Sequence, residues 1–422
     1  MWFRARSLAV ATAAVLVVSA CTSAATDEPA APAEPTSTST SSSTPPSTSS
    51  STALATTTTT EAPLGVVAVT GDVPAELTTA ASAFLSVVQD PRNDAAALDP
   101  QLLEHLGAAA GELADEYTAT ATTQELSTGG SVGVMTLDSG DLLLLADEGS
   151  GWSVVGADLA SPDVGPWFGA SPRRVLVLGS DARPGATPGV SRMDSMHIVT
   201  AVPEQQAGTI LGYPRDSWVS TEYGEMRINA LTASRRGPDA LFSFFTQDWE
   251  IPLDGYILTA FSGFEKLVGE TIGRLLIDLP RSVPSLKYWP GFRKGEQTLT
   301  PTRTLDLART RKGVPGGDFT RSWNQGLIML ATLAMLQQGS IEDVPVLIGE
   351  LVKYTDTNLT PADLIQLGAA AFILDIGNID NVVLPGTLGR ATGGASVVFL
   401  DPEAEGIVAD VIDDGLLTTP DE

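Results

Sequence analysis

The sequence predicts an α/β protein: a three-layer domain with a mixed central sheet flanked by helices over Ser171 to Gly415, preceded by a small α+β domain over residues 64–165. Three observations predict it. From Ser171 onward, short β-prone runs alternate with helical ones instead of segregating into halves, which is the pattern of a sheet with helices on its faces. Before that point, two helical stretches are followed by a strand meander with Asp-Ser-Gly and Gly-Ser-Gly turns. The 422 residues are 43% hydrophobic, and with a mean hydropathy of +0.12 they hold enough apolar material for two cores.

At the N-terminus, Arg4 and Arg6 precede an apolar run from Leu8 to Val18 that ends in Val18-Ser-Ala-Cys21. A charged region, a hydrophobic region and small residues in that order read as a signal peptide over residues 1–21, too short for a comfortable membrane span. Cys21 directly follows the small residues and resembles the lipobox at which bacterial lipoproteins are cleaved and diacylated. The alternative is an ordinary signal peptide with an incidental cysteine. As the only cysteine, Cys21 excludes an internal disulfide and, once lipidated, a cysteine nucleophile. Acyl chains on it would anchor the protein to a membrane. Residues 22–63 are almost entirely Ser, Thr, Ala, Pro and Glu without apolar periodicity, so they read as an unfolded, wall-spanning tether.

In the small domain, Ala75 to Gln89 and Pro100 to Tyr117 have helical spacing, and Ser131 to Leu137, Asp141 to Asp147 and Trp152 to Leu159 read as strands. Gly129-Gly-Ser-Val-Gly133 matches a nucleophile-elbow pattern. A Thr/Gln-rich stretch, not a buried strand, precedes it, so the glycines read as a turn. This domain is expected to supply no catalytic group, and a chain beginning near Pro166 is expected to keep some turnover.

In the main domain, Val175 to Leu178, Ser195 to Val202 and Thr209 to Gly212 are β-prone, Asp239 to Asp248 is helical, and Gly255 to Phe261 and Leu275 to Leu279 are again strands. Helices follow at Arg303 to Arg309, Arg321 to Gln337, Ile341 to Tyr354 and Pro361 to Leu374. Strands at Asn381 to Leu384 and Ser396 to Leu400 and a helix at Pro402 to Ile412 close the unit, before an acidic tail over 416–422.

The formal charge of −27 argues against a general nucleic-acid binder. Its distribution is uneven: Ser171 to Leu330 holds 19 of the 24 Lys and Arg but 16 of the 51 Asp and Glu, giving +3 there and −30 elsewhere. Basic side chains are concentrated where a phosphorylated ligand would need them, although solvated surface arginines would give the same count. Four segments place charge at strand ends or turns: Val175-Leu-Val-Leu-Gly-Ser-Asp-Ala-Arg183, Ser191-Arg-Met-Asp-Ser-Met196, Gly212-Tyr-Pro-Arg-Asp-Ser217 with Arg227-Ile-Asn229, and Ala308-Arg-Thr-Arg311 with Gly317-Asp-Phe-Thr-Arg-Ser-Trp-Asn-Gln325. Guanidinium forks suit bidentate phosphate recognition, and the interleaved aspartates suit Mg²⁺, which takes a few carboxylates plus phosphate oxygens. Asp216 and Asp318 are alternatively turn or N-cap residues. Arg192 reads as a surface residue and His197, inside a strand, as structural. His105 lies in the small domain, so no Ser/His/Asp triad is evident.

In order and type these motifs resemble the LytR-CpsA-Psr family of phosphotransferases, whose members read L-L-G-x-D-x-R, R-x-D-x-M, P-R-D, K-I-N, A-R-x-R and D-x-x-R-x-x-R-Q-Q. The resemblance implies that Asp181 and Asp194 are metal-associated and hold Mg²⁺, and that Arg183, Arg215, Arg309, Arg311 and Arg321 surround a lipid pyrophosphate. Gln325 matches the first glutamine of the last motif. Arg227 stands in place of the K-I-N lysine and keeps its charge, whereas Asn324 and Gly326 replace the flanking Arg and second Gln. Asp181, Arg183 and Arg215 are the implied catalytic residues, with the acceptor of the hydroxyl proton left open between Asp181 and Arg183. Apolar material for the family's lipid pocket is present in Leu241 to Phe245, Tyr256 to Phe264 and Leu327 to Leu336, where core packing is the competing explanation.

The implied reaction is transfer of a phosphoglycosyl polymer from a polyprenyl-pyrophosphate carrier to a peptidoglycan hydroxyl. It would take place at the extracytoplasmic face of the plasma membrane, without nucleic acid. The alternatives are hydrolysis of the carrier pyrophosphate and a non-catalytic lipoprotein that binds polyprenyl phosphate or wall polymer, the latter suggested by Asn324 and Gly326. Replacing Arg215, Arg309 or Arg311 is expected to weaken phosphate binding with little change in stability.

Overall fold

The computed structural model describes residues 64–93, 98–107, 113–161, 164–183, 186–233, 236–285 and 290–418. The signal peptide, Cys21, the tether and residues 419–422 of the acidic tail lie outside the described residues. No helix among the described residues is long and apolar enough to cross a membrane.

The small domain runs β1 (Ala68–Gly71), α1 (Ala75–Gln89), α2 (Pro100–Leu106), β2 (Glu116–Glu125), β3 (Ser131–Leu137), β4 (Leu142–Asp147) and β5 (Trp152–Asp158). Its five strands lie in sequence order in one sheet, β1 parallel to β2 and the rest antiparallel. Helix α1 buries Leu77, Ala81, Phe84, Leu85 and Val88 against this sheet, the spacing of one helical face. Helix α2 starts under an Asp99 cap that accepts from the Gln101 and Leu102 amides, and ends at Gly107, whose φ is +71°. It therefore stops well short of the Tyr117 expected from spacing. The Thr/Gln-rich stretch is strand β2, and Gly129 and Gly130, both with positive φ, form the β2–β3 turn.

The main domain continues with β6 (Arg173–Ser180), β7 (Met193–Val202), β8 (Ala207–Gly212), β9 (Trp218–Thr221), β10 (Gly224–Arg227), α3 (Asp239–Ser243), β11 (Gly255–Ala260), α4 (Phe261–Thr271), β12 (Leu275–Leu279) and β13 (Gly295–Leu299). There follow α5 (Pro301–Arg309), α6 (Asp318–Leu336), α7 (Val344–Tyr354), β14 (Thr355–Thr357), α8 (Pro361–Ile373), β15 (Ile379–Val383), β16 (Gly386–Arg390), β17 (Ser396–Leu400) and α9 (Glu403–Asp413). The central sheet has the order β14-β11-β6-β7-β8-β15. It is mixed: β11 and β6 pair in parallel, as do β15 and β8, and the other neighbours are antiparallel.

Strand alternation divides the layers. Leu176 and Leu178 of β6 face Leu241, Phe245, Val408 and Val411, the layer made by α3, the helical turn Phe244–Asp248 that continues it, and α9. Val175 and Val177 face α7 and α8. That second layer also meets the small domain: Val132, Val134, Leu142 and Leu144 share one core with Val344, Ile348, Leu364 and Ile365. Strand β4 reads as an unbroken apolar run because α1 covers one of its faces and α7 and α8 cover the other. Gln366 of α8 adds a buried polar link, accepting from Arg173 Nη1 (2.7 Å) and donating to the Val155 carbonyl (2.6 Å).

Candidate active site

The ends of β6 and β8 and the starts of β7 and α6 converge on one charged cluster. Beyond β6, the Asp181 amide donates to the Arg192 carbonyl (3.0 Å) and Ser180 Oγ to the Pro188 carbonyl (2.9 Å), which brings Asp181 beside the segment leading into Asp194. Beyond β8, Ser217 closes a turn onto the Pro214 carbonyl through its amide (3.0 Å) and Oγ (2.7 Å), presenting Arg215 inward. Arg215 donates to the Asp194 carboxylate and lies 3.5 Å from Asp318 and 3.7 Å from Asp216. Arg321, whose side chain is only 4% exposed, pairs with Asp318 at 2.9 Å and donates to the Asp194 carbonyl at 2.8 Å. Asp318 therefore belongs to this ion cluster, and its side chain does not cap α6.

Electrostatics follow from burial and partners. Burial pushes the Asp318 carboxyl up, opposed by Arg321 and Arg215. Burial alone would lower Arg215, but Asp194, Asp318 and Asp216 outweigh it and raise it. Arg321 is lowered by burial despite Asp318. The cluster is held by mutual charge and is costly to dismantle from one side.

Two adjoining cavities open from it. The first, about 360 Å³, is walled by Val177, Phe264, Val268, Ile328, Leu333 and Leu351 among others. Helix α6 lines it with Arg321, Gln325, Ile328, Met329, Thr332 and Leu336, one face of a helix with its charge at one end. The second, about 460 Å³, is lined by Asp181, Arg183, Asp194, Arg309, Glu265 and Asp306, with Ser262 and Thr302. Asp194, Phe261, Leu305 and Arg309 line both, so the apolar chamber gives directly onto the charged one. At that junction the Arg309 guanidinium stacks 4.3 Å from the Phe261 ring. Together the cavities match an amphiphile with a long apolar tail and a polar head, the polar chamber setting two arginines among four carboxylates.

Six of the residues singled out in the sequence line these cavities: Asp181, Arg183, Asp194, Arg309, Arg321 and Gln325, the last donating to the Ala308 carbonyl at 2.9 Å. Arg215 braces Asp194 from behind. Arg227 donates to the Ser396 carbonyl (2.6 and 3.0 Å) and lies 3.8 Å from Asp216; neither it nor exposed Arg311 is among the lining residues. Tyr256 to Phe264 and Leu327 to Leu336 supply tail-cavity walls, but Leu241 to Phe245 pack into the opposite core. Asn324 and Gly326 are buried away from both cavities. A Cβ on Gly326 would meet the Asn381 side-chain amide, so a glutamine could enter here only if that amide moved aside. Neither departure is therefore among the residues that line the cavities.

The sequence reading missed helix α4 and with it Ser262 and Glu265, as well as Thr302 and Asp306 on α5. Phe261, Phe264, Leu267, Val268 and Thr271 carry the helical period, but Gly263 and Gly269 obscure it.

Magnesium fits the charged cavity on the chemistry of its lining: Asp181 and Asp194 both face it. No group of three or more acidic, His or Cys residues placed for a metal occurs among the described residues, so two carboxylates plus phosphate oxygens is the set available.

Residues 168–408 match the LytR_cpsA_psr family. The polyisoprenyl-teichoic acid–peptidoglycan teichoic acid transferase TagV of Bacillus subtilis (strain 168) is 26% identical over 242 residues, 54% of this chain and 61% of TagV. Regulatory protein MsrR of Staphylococcus aureus (strain COL) is 27% identical over 220 residues, 50% of this chain and 64% of MsrR. The chain thus spans less than two thirds of these relatives. The crystal structure of protein gbs0355 from Streptococcus agalactiae shares the fold, with a TM-score of 0.50 at 20% identity, covering 59% of this chain and 90% of that one.

Proposed function

The chain belongs to the LytR_cpsA_psr family, and from that premise we propose that it is a transferase moving a phosphoglycosyl polymer from a polyprenyl-pyrophosphate carrier onto a peptidoglycan hydroxyl. The observation that carries this reading is the continuity of the apolar cavity with the charged one through Asp194, Phe261, Leu305 and Arg309. A tail chamber of about 360 Å³ supports a lipid-linked phosphate substrate over a soluble one, and the acceptor, hydroxyl or water, is what the experiment below decides.

In this mechanism the polyprenyl tail lies along α6 and α4, and the pyrophosphate lies between Arg183 and Arg309. Charge-assisted bonds from their guanidinium groups hold the phosphates as charge develops. The acceptor hydroxyl attacks the phosphorus that bears the polymer; a new P–O bond forms, the bond to the carrier phosphate breaks, and polyprenyl phosphate leaves. Mg²⁺ held by Asp181, Asp194 and the phosphates would supply charge neutralisation. Arg215 and Arg321 fix Asp194 against that load. The hydroxyl proton passes to a group at the head cavity, which the family motif leaves open between Asp181 and Arg183.

Incubation of purified protein with lipid-linked polymer, Mg²⁺ and peptidoglycan tests this. Polymer linked to peptidoglycan supports the transferase, free phosphorylated polymer means hydrolysis, and binding without turnover means a carrier protein. The proposal includes a lipid anchor at Cys21: Cys21→Ala should shift the protein out of the detergent phase, and an unchanged partition rules the anchor out.

A further inference from the structure

We propose that His197 is a positioning residue for the pyrophosphate site: it ties together the three segments that carry Asp194, Arg215 and Arg321. The inference rests on the function proposed above. His197 is wholly buried in β7, and both ring nitrogens are engaged. Nε2 lies 3.1 Å from the Ser322 carbonyl and 3.3 Å from Ser322 Oγ; Nδ1 lies 3.1 Å from Ser195 Oγ. A carbonyl only accepts, so Nε2 carries the hydrogen; Nδ1 of the neutral ring then accepts from the Ser195 hydroxyl.

The partners matter because of what stands beside them. Ser322 follows Arg321 on α6, and Ser195 follows Asp194 on β7 and lines the tail cavity. The third segment reaches the same point through Gly212, at the end of β8 and three residues before Arg215. A Cβ there would stand 2.5 Å from Ser322 Oγ and 3.3 Å from His197 Nε2. The imidazole thus bolts α6 to β7 where β8 passes with no side chain between them, directly beneath the ion cluster. Direct pairs among Asp194, Arg215, Asp318 and Arg321 set the charges against one another, and Arg321 and Asn381 tie α6 to the sheet through the Asp194 and Trp323 carbonyls. The His197–Ser322 bond adds a buried tie at the residue next to Arg321. An ordinary core residue at this position would fill the volume and leave the Ser322 carbonyl without this donor.

The test uses the full chain and reads three quantities: thermal stability, affinity for a polyprenyl pyrophosphate, and affinity for the matching polyprenyl alcohol. His197→Leu keeps the bulk and removes both hydrogen bonds. It should lower pyrophosphate affinity and transfer kcat/KM by about tenfold or more, the scale of a small misplacement of binding groups, while alcohol affinity stays as in the unmodified protein. His197→Gln, which can offer an amide N–H to the Ser322 carbonyl, should recover most of that loss. Gly212→Ala should weaken pyrophosphate binding by wedging Ser322 away, and Ser322→Ala should relieve it, so the pair decides the matter if His197→Leu does not fold. Reduced stability with unchanged pyrophosphate affinity in the folded fraction would overturn the proposal, as would equal losses for pyrophosphate and alcohol. If the unmodified protein binds pyrophosphate but transfers nothing, the transferase reading fails, and the affinities still decide the role of His197.

Discussion

Arg215 and Arg309 serve one charged cavity from opposite conditions, and burial separates their expected phenotypes. Arg215 is 14% exposed among three carboxylates. Arg215→Ala takes the hydrogen-bonded partner from the Asp194 carboxylate, while Asp318 keeps Arg321 at 2.9 Å, so it should cost about 3 kcal/mol in stability, visible as a lowered denaturation midpoint. Arg309 is exposed at the cavity junction and stacked on Phe261. Arg309→Ala should leave that midpoint nearly unmoved while weakening polyprenyl-pyrophosphate binding about tenfold or more, from the loss of bonds worth about 1.5–3 kcal/mol. Similar midpoints for the two variants would show that the cluster around Arg215 is not structural. Composition and motif order supplied these arginines, but burial is a three-dimensional property, and the single phenotype expected for Arg215, Arg309 and Arg311 does not survive it. His197 also acts at this scale. Burial, reinforced by the nearby Arg321 charge and opposed by the Ser322 bond, lowers its pKa from 6.5 to about 4. As the pH falls from 6.5 toward 4 the unfolded chain binds a proton that the folded chain refuses, so stability falls across that window by on the order of 3 kcal/mol. Asp318, raised by burial, works in the opposite direction. The His197 share is therefore read as the difference between unmodified protein and His197→Leu in urea midpoints across pH 4–7; parallel curves would remove it.

Among the elements, those with an unbroken period and a local stop signal were legible: α1, β3, β12 and β17 fall where spacing put them. The errors share a cause, in that tertiary cover or a glycine contradicts local pattern. Strand β2 looks like a loop because its polar Thr and Gln face outward while Tyr117 and Ala119 face the core. Strands β10, β14 and β16 are short and gain their identity only from partners distant in sequence or across a tight turn. Helix α6 shows the same logic in reverse. Its mismatch with the family motif at Gly326 is a packing exchange with β15: Asn381 occupies the space and donates to the Trp323 carbonyl at 2.9 Å. Gly326→Gln, which restores the family residue, should therefore destabilise the protein by about 1–3 kcal/mol through overpacking. Adding Asn381→Ala should recover most of it, since the space is then vacated. A neutral Gly326→Gln in thermal melts would show that β15 yields without strain.

For the molecule as a whole, the sequence pattern separates a helix-and-meander stretch from an alternating α/β stretch, but the described residues from Leu64 onward form one compact unit, and that dependence was not legible. Sequence alone cannot say which face of an apolar strand meets a neighbour far along the chain, and the expectation that a chain beginning at Pro166 stays active assumes that β3 and β4 bury nothing outside their own domain. They do: Val132, Val134, Leu142 and Leu144 cover Val344, Ile348, Leu364 and Ile365 of α7 and α8. Removing the small domain would bare those four side chains. At about 1.5–3 kcal/mol for each, the loss is on the order of 10 kcal/mol, comparable with the whole stability of a typical domain. The damage would also reach the site, because α7 supplies Leu351 and Thr355 borders the same apolar cavity. A chain starting at Pro166 should thus aggregate or melt far below one starting at Leu64, and whatever remains folded should bind polyprenyl pyrophosphate poorly. The leading comparison is the melting temperature of the two chains side by side in detergent. Equal melting temperatures with equal lipid affinity would mean that the shared core contributes little and that the small domain is a detachable module.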